Sequence, residues 1–338
     1  MRAGISLSLA AMLGACAAAA LGQTNTIVLT VGAGGQYQTI SAAVSAADAD
    51  SNWSNHYDIQ VMPGTYTNDF PHVTRPMTIE VNPSYAGRPV VLNATENLPN
   101  EKGMILTAAS LTVNGLTFSG ARIPNAEGGN GAGIRDQNTG PAALIVQNSI
   151  FTGNQEGILT GNDANETITV VNSKFVNNGN PDIDYFQHGL YVNYAGSLTV
   201  SNSLFCGQLI GHDIKSRAAV TMVENNQLYD GATNAALGCN AGSTSLAVDA
   251  PNGGSVTVSG NQIVQGATSQ NYKMVDYGEE GLIYGNNNFL VSANSFASSG
   301  TPSATAVYDP HCVAAQLTGN TFAGIGTIVN PASCAVYQ

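Results

Sequence analysis

Charge is scarce in this 338-residue chain: Asp, Glu, Lys and Arg make up 9% of it, with 10 Lys and Arg against 22 Asp and Glu. A helix-rich domain covers its exposed faces with Glu and Lys, so this composition argues against one and suits short strands joined by polar turns. The formal net charge of −12 argues against a nucleic-acid backbone as partner. An anionic sugar polymer stays open, because a local cationic groove outweighs the global field at close range. Tryptophan occurs once, at Trp53, which disfavours a propeller with a Trp signature in each blade. The apolar run from Ile5 to Leu13 is broken by Ser and is too short to span a bilayer comfortably, so no transmembrane segment is expected. No Cys-x-x-Cys pair supports zinc or a redox site.

What is present begins with an export signal. Met1-Arg2 is a short positive start, and Ala20-Leu21-Gly22 offers a cleavage site before Gln23, giving a signal peptide over 1–22 and one domain over 23–338. A second reading takes Leu13-Gly14-Ala15-Cys16 as a lipoprotein box with an acylated Cys16. Either way the protein is exported, periplasmic or secreted. The remaining cysteines, Cys206, Cys239, Cys312 and Cys334, form an even set that suggests disulfides with three possible connectivities. Pairing nearest neighbours would close about one coil of the repeat in each case.

Residues 27–44 carry an apolar strand through a Gly turn into a short helix, with Ile40, Ala43, Val44 and Ala47 on one face and Thr39 or Ser41 available as cap. From about residue 105 a repeat dominates, in which an apolar-x-Val strand leads through an Asn- and Ser-rich turn to an anchor. The anchors are Phe118, Phe151, Phe175, Phe205, Leu228, Ile263, Phe296 and Phe322, spaced by 33, 24, 30, 23, 35, 33 and 26 residues. Periods in this range indicate a solenoid whose coils must stack to bury their apolar faces. Asn tolerates left-handed backbone, and its amide can bond the same side chain one coil away. The expected fold is all-β: a single-stranded right-handed parallel β-helix of eight to ten coils with a short N-terminal capping helix, acting as a monomer.

A second strand precedes each repeat core. Aligning Ile134, Ile158, Leu190, Ile214 and Leu246 inward turns Arg135, Leu159, Tyr191, Lys215 and Ala247 outward, with Asp213, Asn193, Arg217 and Asp249 on the same face. Two of the ten cations thus share one strand of Gly211-His212-Asp213-Ile214-Lys215-Ser216-Arg217. Arg217 suits a carboxylate. Lys215, beside Arg217 in a partly desolvated groove, is expected to have its neutral form favoured and so to act as base. Tyr191 is the candidate acid, and His188 and His212 are candidates for handling protons. Arg135, Asp213 and Asp249 are candidates for binding substrate. A solvated ion-pair ladder is the competing reading. Ser216 faces inward and is a poor nucleophile. Glu279 and Glu280 read as a solvated turn beside the cleft. No metal site is expected. Calcium is compatible with the exposed Asp side chains but is not required where Lys215 and Arg217 are present.

The opening strand and helix, with Tyr57-Asp58-Ile59-Gln60-Val61-Met62-Pro63-Gly64, resemble the start of pectin-methylesterase-like and pectate-lyase-like β-helix proteins. The run His188-Gly189-Leu190-Tyr191-Val192 followed by residues 211–217 resembles exported bacterial proteins of the pectate-lyase-like superfamily. Its alginate-type lyases pair a Lys base with an Arg acid, and its mannuronan C5-epimerases carry a His-Gly-x-x-x-Ser-Arg strand. The resemblance implies Lys215 as base and Arg217 as neutraliser or acid. It departs from the lyases in placing both on one strand. It departs from the epimerases in lacking an Asp-Pro-His-Asp run, of which Asp309-Pro310-His311 is a partial echo. The acidic catalytic motifs of the methylesterases are not visible. The implied function is a polysaccharide lyase or C5-epimerase on an acidic, uronic-acid polysaccharide. A polygalacturonase-type hydrolase pairing Asp182 or Asp184 with Asp213, and a non-catalytic carbohydrate-binding solenoid, are the alternatives.

Overall fold

The computed structural model describes residues 25–99, 102–183, 187–300 and 303–337. The signal peptide, Cys16 and Asp184 lie outside the described residues. Three parallel sheets of 12, 10 and 10 strands run the length of the molecule, and the chain visits them in rotation. Every pairing between strands is parallel and joins one coil to the next. This is a right-handed parallel β-helix of ten coils with one helix, Ile40–Asp48, at its start. The sequence repeat missed the first two coils because their anchors are Tyr66 and Leu92, which precede Phe118 in the same column but lack the Asn-Ser turn.

The core is built from columns of like side chains. Phe118, Phe151, Phe175 and Phe205 stack with ring centroids 4.8, 4.7 and 4.4 Å apart. A second ladder runs through the turn: Ser149, Ser173, Ser203, Asn226, Asn261, Asn294 and Asn320 each accept a backbone N–H from the coil before. The residue just before the ladder position takes the left-handed conformation, with φ of 51° at Asn148 and 57° at Asn225. The two tasks expected of one Asn are therefore split between neighbours. The turn's buried backbone donors are satisfied in this way without water.

Thr39 caps the helix through its hydroxyl, and the hydroxyl of Ser41 instead binds Asp69, whose carboxylate also accepts the N–H groups of Ile40 and Ser41 at 2.6 and 3.0 Å. The other end is clamped by Arg75, fully buried, which donates to the carbonyls of Ala47, Asp50, Asn52 and Asn55. Both nearest-neighbour disulfides form, Cys206–Cys239 and Cys312–Cys334. No helix among the described residues is long and apolar enough to cross a membrane.

Candidate functional site

The strands Leu190–Val192, His212–Ser216, Leu246–Ala250, Lys273–Tyr277 and Thr305–Tyr308 are successive rungs of the third sheet. Register sets Tyr191 opposite Lys215, Lys215 opposite Asp249, and Asp249 opposite Asp276. The expected alignment of Ile214 with Leu246 is off by two residues: Ile214 pairs with Val248, and His212 with Leu246. A slip of two leaves every face unchanged, so hydrophobic alternation alone does not choose between the registers. Its effect is to bring Asp249, and not Ala247, directly beside Lys215.

Lys215 Nζ lies 3.2 Å from Asp249 and 3.3 Å from Glu280. The Arg217 guanidinium forks onto Glu280 at 2.7 and 2.9 Å, donates from Nε to the Tyr191 hydroxyl at 3.0 Å, and bonds Asn252. These bonds hold Arg217 charged, well above its usual range, against the opposing effect of burial. Tyr284 donates its hydroxyl to the Arg217 carbonyl and so fixes the backbone below the guanidinium. Burial lifts the Asp249 carboxyl to about 6, against the pull of Lys215. The Lys215 and Arg217 side chains are 11% and 12% exposed. A solvated ladder would leave them in water, so this is a partly desolvated groove in which both cations are paired with carboxylates.

Glu280 is the half-exposed turn residue expected, and it also bridges both cations. Lys273, Asp276, Asn252 and Tyr284 were not anticipated. Lys273 is another of the ten cations and stands three residues before Asp276, a spacing visible in the sequence, but its strand lacks the flanking repeat signal. Its ammonium contacts Asp276 at 2.5 Å and Glu279 at 2.7 Å and lies over the Tyr308 ring.

His188 and His212 stack with centroids 4.8 Å apart, as their matched positions implied. His188 is buried, and its Nδ1 accepts the His212 backbone N–H at 3.0 Å. Burial drives its pKa well below the usual range and that of His212 down to about 3, so both rings are neutral. His212 Nε2 lies 3.3 Å from Asp249, and His188 meets the Tyr191 ring edge-on. Arg135 lies on the same sheet, three coils before Lys215, with Nη1 donating to the Thr160 carbonyl. Leu159 shares the outward column of Arg135 and Tyr191, as expected, and is covered from solvent. Asp309 is buried and accepts the Val313 N–H.

Asp213 is the clearest correction. It was placed outward, and it is 1% exposed inside the solenoid. Its column holds Gly133, Gly157 and Gly189, where an added Cβ would come within 2.7, 2.6 and 3.2 Å of a Phe ring. The next anchor is the smaller Leu228, which leaves room for an inward carboxyl. Burial, together with Asp230 nearby, pushes Asp213 well above the carboxylate range. Asp230 itself is lifted to about 7 by burial.

A raised folded pKa means that Asp230 favours folding below its unfolded value near 4 and that this contribution is lost as pH rises towards 7. The loss is at most about 1.4 kcal/mol per pH unit. Asp230→Asn, which still accepts from Gln265, is therefore expected to unfold at a temperature that rises relative to the parent chain as pH goes from 4.5 to 7.5. Parallel curves for the two proteins would rule the effect out.

Among the described residues no group of three His, Cys, Asp or Glu side chains is arranged to hold a metal ion. A cavity of about 590 Å³ beside Arg88, Asn114 and Ile150 shares no residue with the groove.

Fold and site together define a parallel β-helix protein with a groove of paired cations and carboxylates across its third sheet. No family model matches the chain, and no curated protein matches it in sequence. Among solved structures, the pectin methylesterase from Aspergillus niger in deglycosylated form is similar at 13% identity over 89% of each chain, with a TM-score of 0.37. At that score the likeness carries no argument about activity, and the fold stands on the chain's own sheet topology.

Proposed function

We propose that this chain is an exported enzyme acting on a uronic-acid polysaccharide, as a lyase by β-elimination or as a C5-epimerase. The observation that carries the reading is the Arg217 fork on a carboxylate, with the Lys215 amine 3.3 Å from that carboxylate and the Tyr191 hydroxyl on the same guanidinium. A sugar carboxylate held in that fork has its charge neutralised, which acidifies the proton on the adjacent carbon. In this reading Lys215 is the base, with Asp249 3.2 Å from its amine. In elimination the C–H electrons form the double bond, the bond to the glycosidic oxygen breaks, and Tyr191 supplies that oxygen with a proton. In epimerisation a different proton, drawn from solvent, is delivered to the opposite face of the carbon while the abstracted one stays on the base. The two disulfides fit an oxidising compartment.

A hydrolase is the second reading, favoured by one observation. Asp249 and Asp276 sit on adjacent rungs of the outward Lys215 column, about 4.8 Å apart at the backbone, and burial lifts Asp276 above the carboxylate range against the pull of Lys273. One carboxyl kept protonated beside another is what glycoside hydrolysis requires. The pair formed with Asp213 is not available, because Asp213 is in the core.

Incubation with alginate, polygalacturonate, glucuronan and acidic bacterial exopolysaccharides separates the readings. Ultraviolet absorbance from an unsaturated product marks elimination, solvent deuterium uptake without cleavage marks epimerisation, and reducing ends alone mark hydrolysis. Inertness toward all four would remove the catalytic reading and leave a binding solenoid.

A further inference from the structure

Glu279 and Glu280 are neighbours in one turn, and each sits on a different cation of the groove. Glu280 holds Arg217 and Lys215, and Glu279 holds Lys273. The partners are unequally buried: the three cationic side chains are 6–12% exposed, while Glu279 and Glu280 are 51% and 47% exposed. Cations so far out of water are costly without a counter-charge. Carboxylates half in water are held weakly and exchange for other carboxylates at little net cost. Lys273 also touches Asp276, whose acid form burial favours, so Glu279 supplies the answering charge.

The turn's backbone is fixed independently of these side chains. Glu280 N–H donates to the Pro251 carbonyl at 2.9 Å, and Gly281 N–H to Gly278 at 2.9 Å. Release of both carboxylates therefore needs side-chain rotation only. The strand of Lys273 is two rungs from that of Lys215, roughly 10 Å along the solenoid axis. The Lys273 ammonium reaches Asp276, which stands in the Lys215 column two rungs on, so two cationic groups lie along one face.

We propose that Lys273 forms a second carboxylate subsite, and that Glu279 and Glu280 occupy the two subsites until two carboxylates of one polyuronate chain displace them. This rests on the polyuronate reading of the Lys215 and Arg217 site. It adds that the free protein carries its own competitor, and that recognition spans at least two charged sugars.

Calorimetric titration of the intact chain with hexamers and dimers of galacturonate and of mannuronate tests it. Glu279→Gln with Glu280→Gln is expected to tighten binding of one hexamer by roughly 5- to 20-fold, the effect of removing two weak internal pairs. Adding Lys273→Ala should cancel most of that gain, and the dimer should gain less than the hexamer. Glu279→Asp with Glu280→Asp, which keeps the charge but shortens the reach, should fall between, and it serves if the Gln pair unfolds. Unchanged or weaker hexamer binding in a double variant that melts like the parent overturns the proposal, as does a gain indifferent to Lys273 or no hexamer binding by any variant. Turnover of the same oligomers is followed separately. Tighter binding without chemistry overturns the catalytic reading alone, and chemistry without a gain in affinity overturns the displacement alone.

Discussion

Arg217→Ala is expected to lower turnover of the accepted polyuronate by about 10²–10³-fold, the usual cost of losing one preorganised donor to a developing charge. Arg217→Lys should recover little of it, because an ammonium reproduces neither the fork that now holds Glu280 nor the third bond, to the Tyr191 hydroxyl. Lys215→Ala should cost about 10²–10⁴-fold, as for removal of a general base. Steady-state rates on the polymer that reacts, with melting temperatures as control, read both. The Arg217 guanidinium lies on the outer face and bonds the side chains of Tyr191, Asn252 and Glu280, so the fold should survive either change. Parent-like turnover in both variants would sink the proton-abstraction reading. Loss confined to Asp249→Asn and Asp276→Asn would transfer the chemistry to the hydrolase pair.

Arg75→Met is expected to destabilise the N-terminal cap by about 3–5 kcal/mol, a loss typical of breaking a buried charged network. Met fills much of the same volume but leaves the carbonyls of Ala47, Asp50, Asn52 and Asn55 without their donor. The aromatic faces of Trp53 and Tyr57, each 5.0 Å from the guanidinium, would also lose it. Solenoids lose structure locally, because each coil is held by its neighbours. Hydrogen exchange should therefore accelerate first in the helix Ile40–Asp48 and the strand Asn25–Val31, while the Phe118 to Phe205 stack stays protected. Uniform acceleration along the chain, or no change in stability, would contradict this picture of the cap.

The two effects mark the division between what the sequence by itself determined and what the tertiary structure decided. The solenoid was legible because its signal is local and repeated: an apolar-x-Val strand, a left-handed Asn and an anchor recur in most coils, and each repetition reinforces the same period. The helix face of Ile40, Ala43, Val44 and Ala47 and both disulfides were legible for related reasons of spacing. The cationic strand was legible because cations are rare, and its outward Lys215 and Arg217 follow from alternation.

Register was not legible, since a slip of two residues preserves every face, and register is what puts Asp249 on Lys215. Strict alternation also failed at Asp213, because its column faces inward at Gly133, Gly157 and Gly189 as well, and the size of the facing anchor decides only whether a side chain fits there. Glu280 and Lys273 stand 65 and 58 residues beyond Lys215, and only stacking of coils brings one onto Lys215 and the other into the same groove. A one-dimensional pattern carries the period of a solenoid, because that period is set by burial within each coil. It does not carry which side chains meet across coils, because that depends on the length of each turn and on the volume of the neighbour it stacks against.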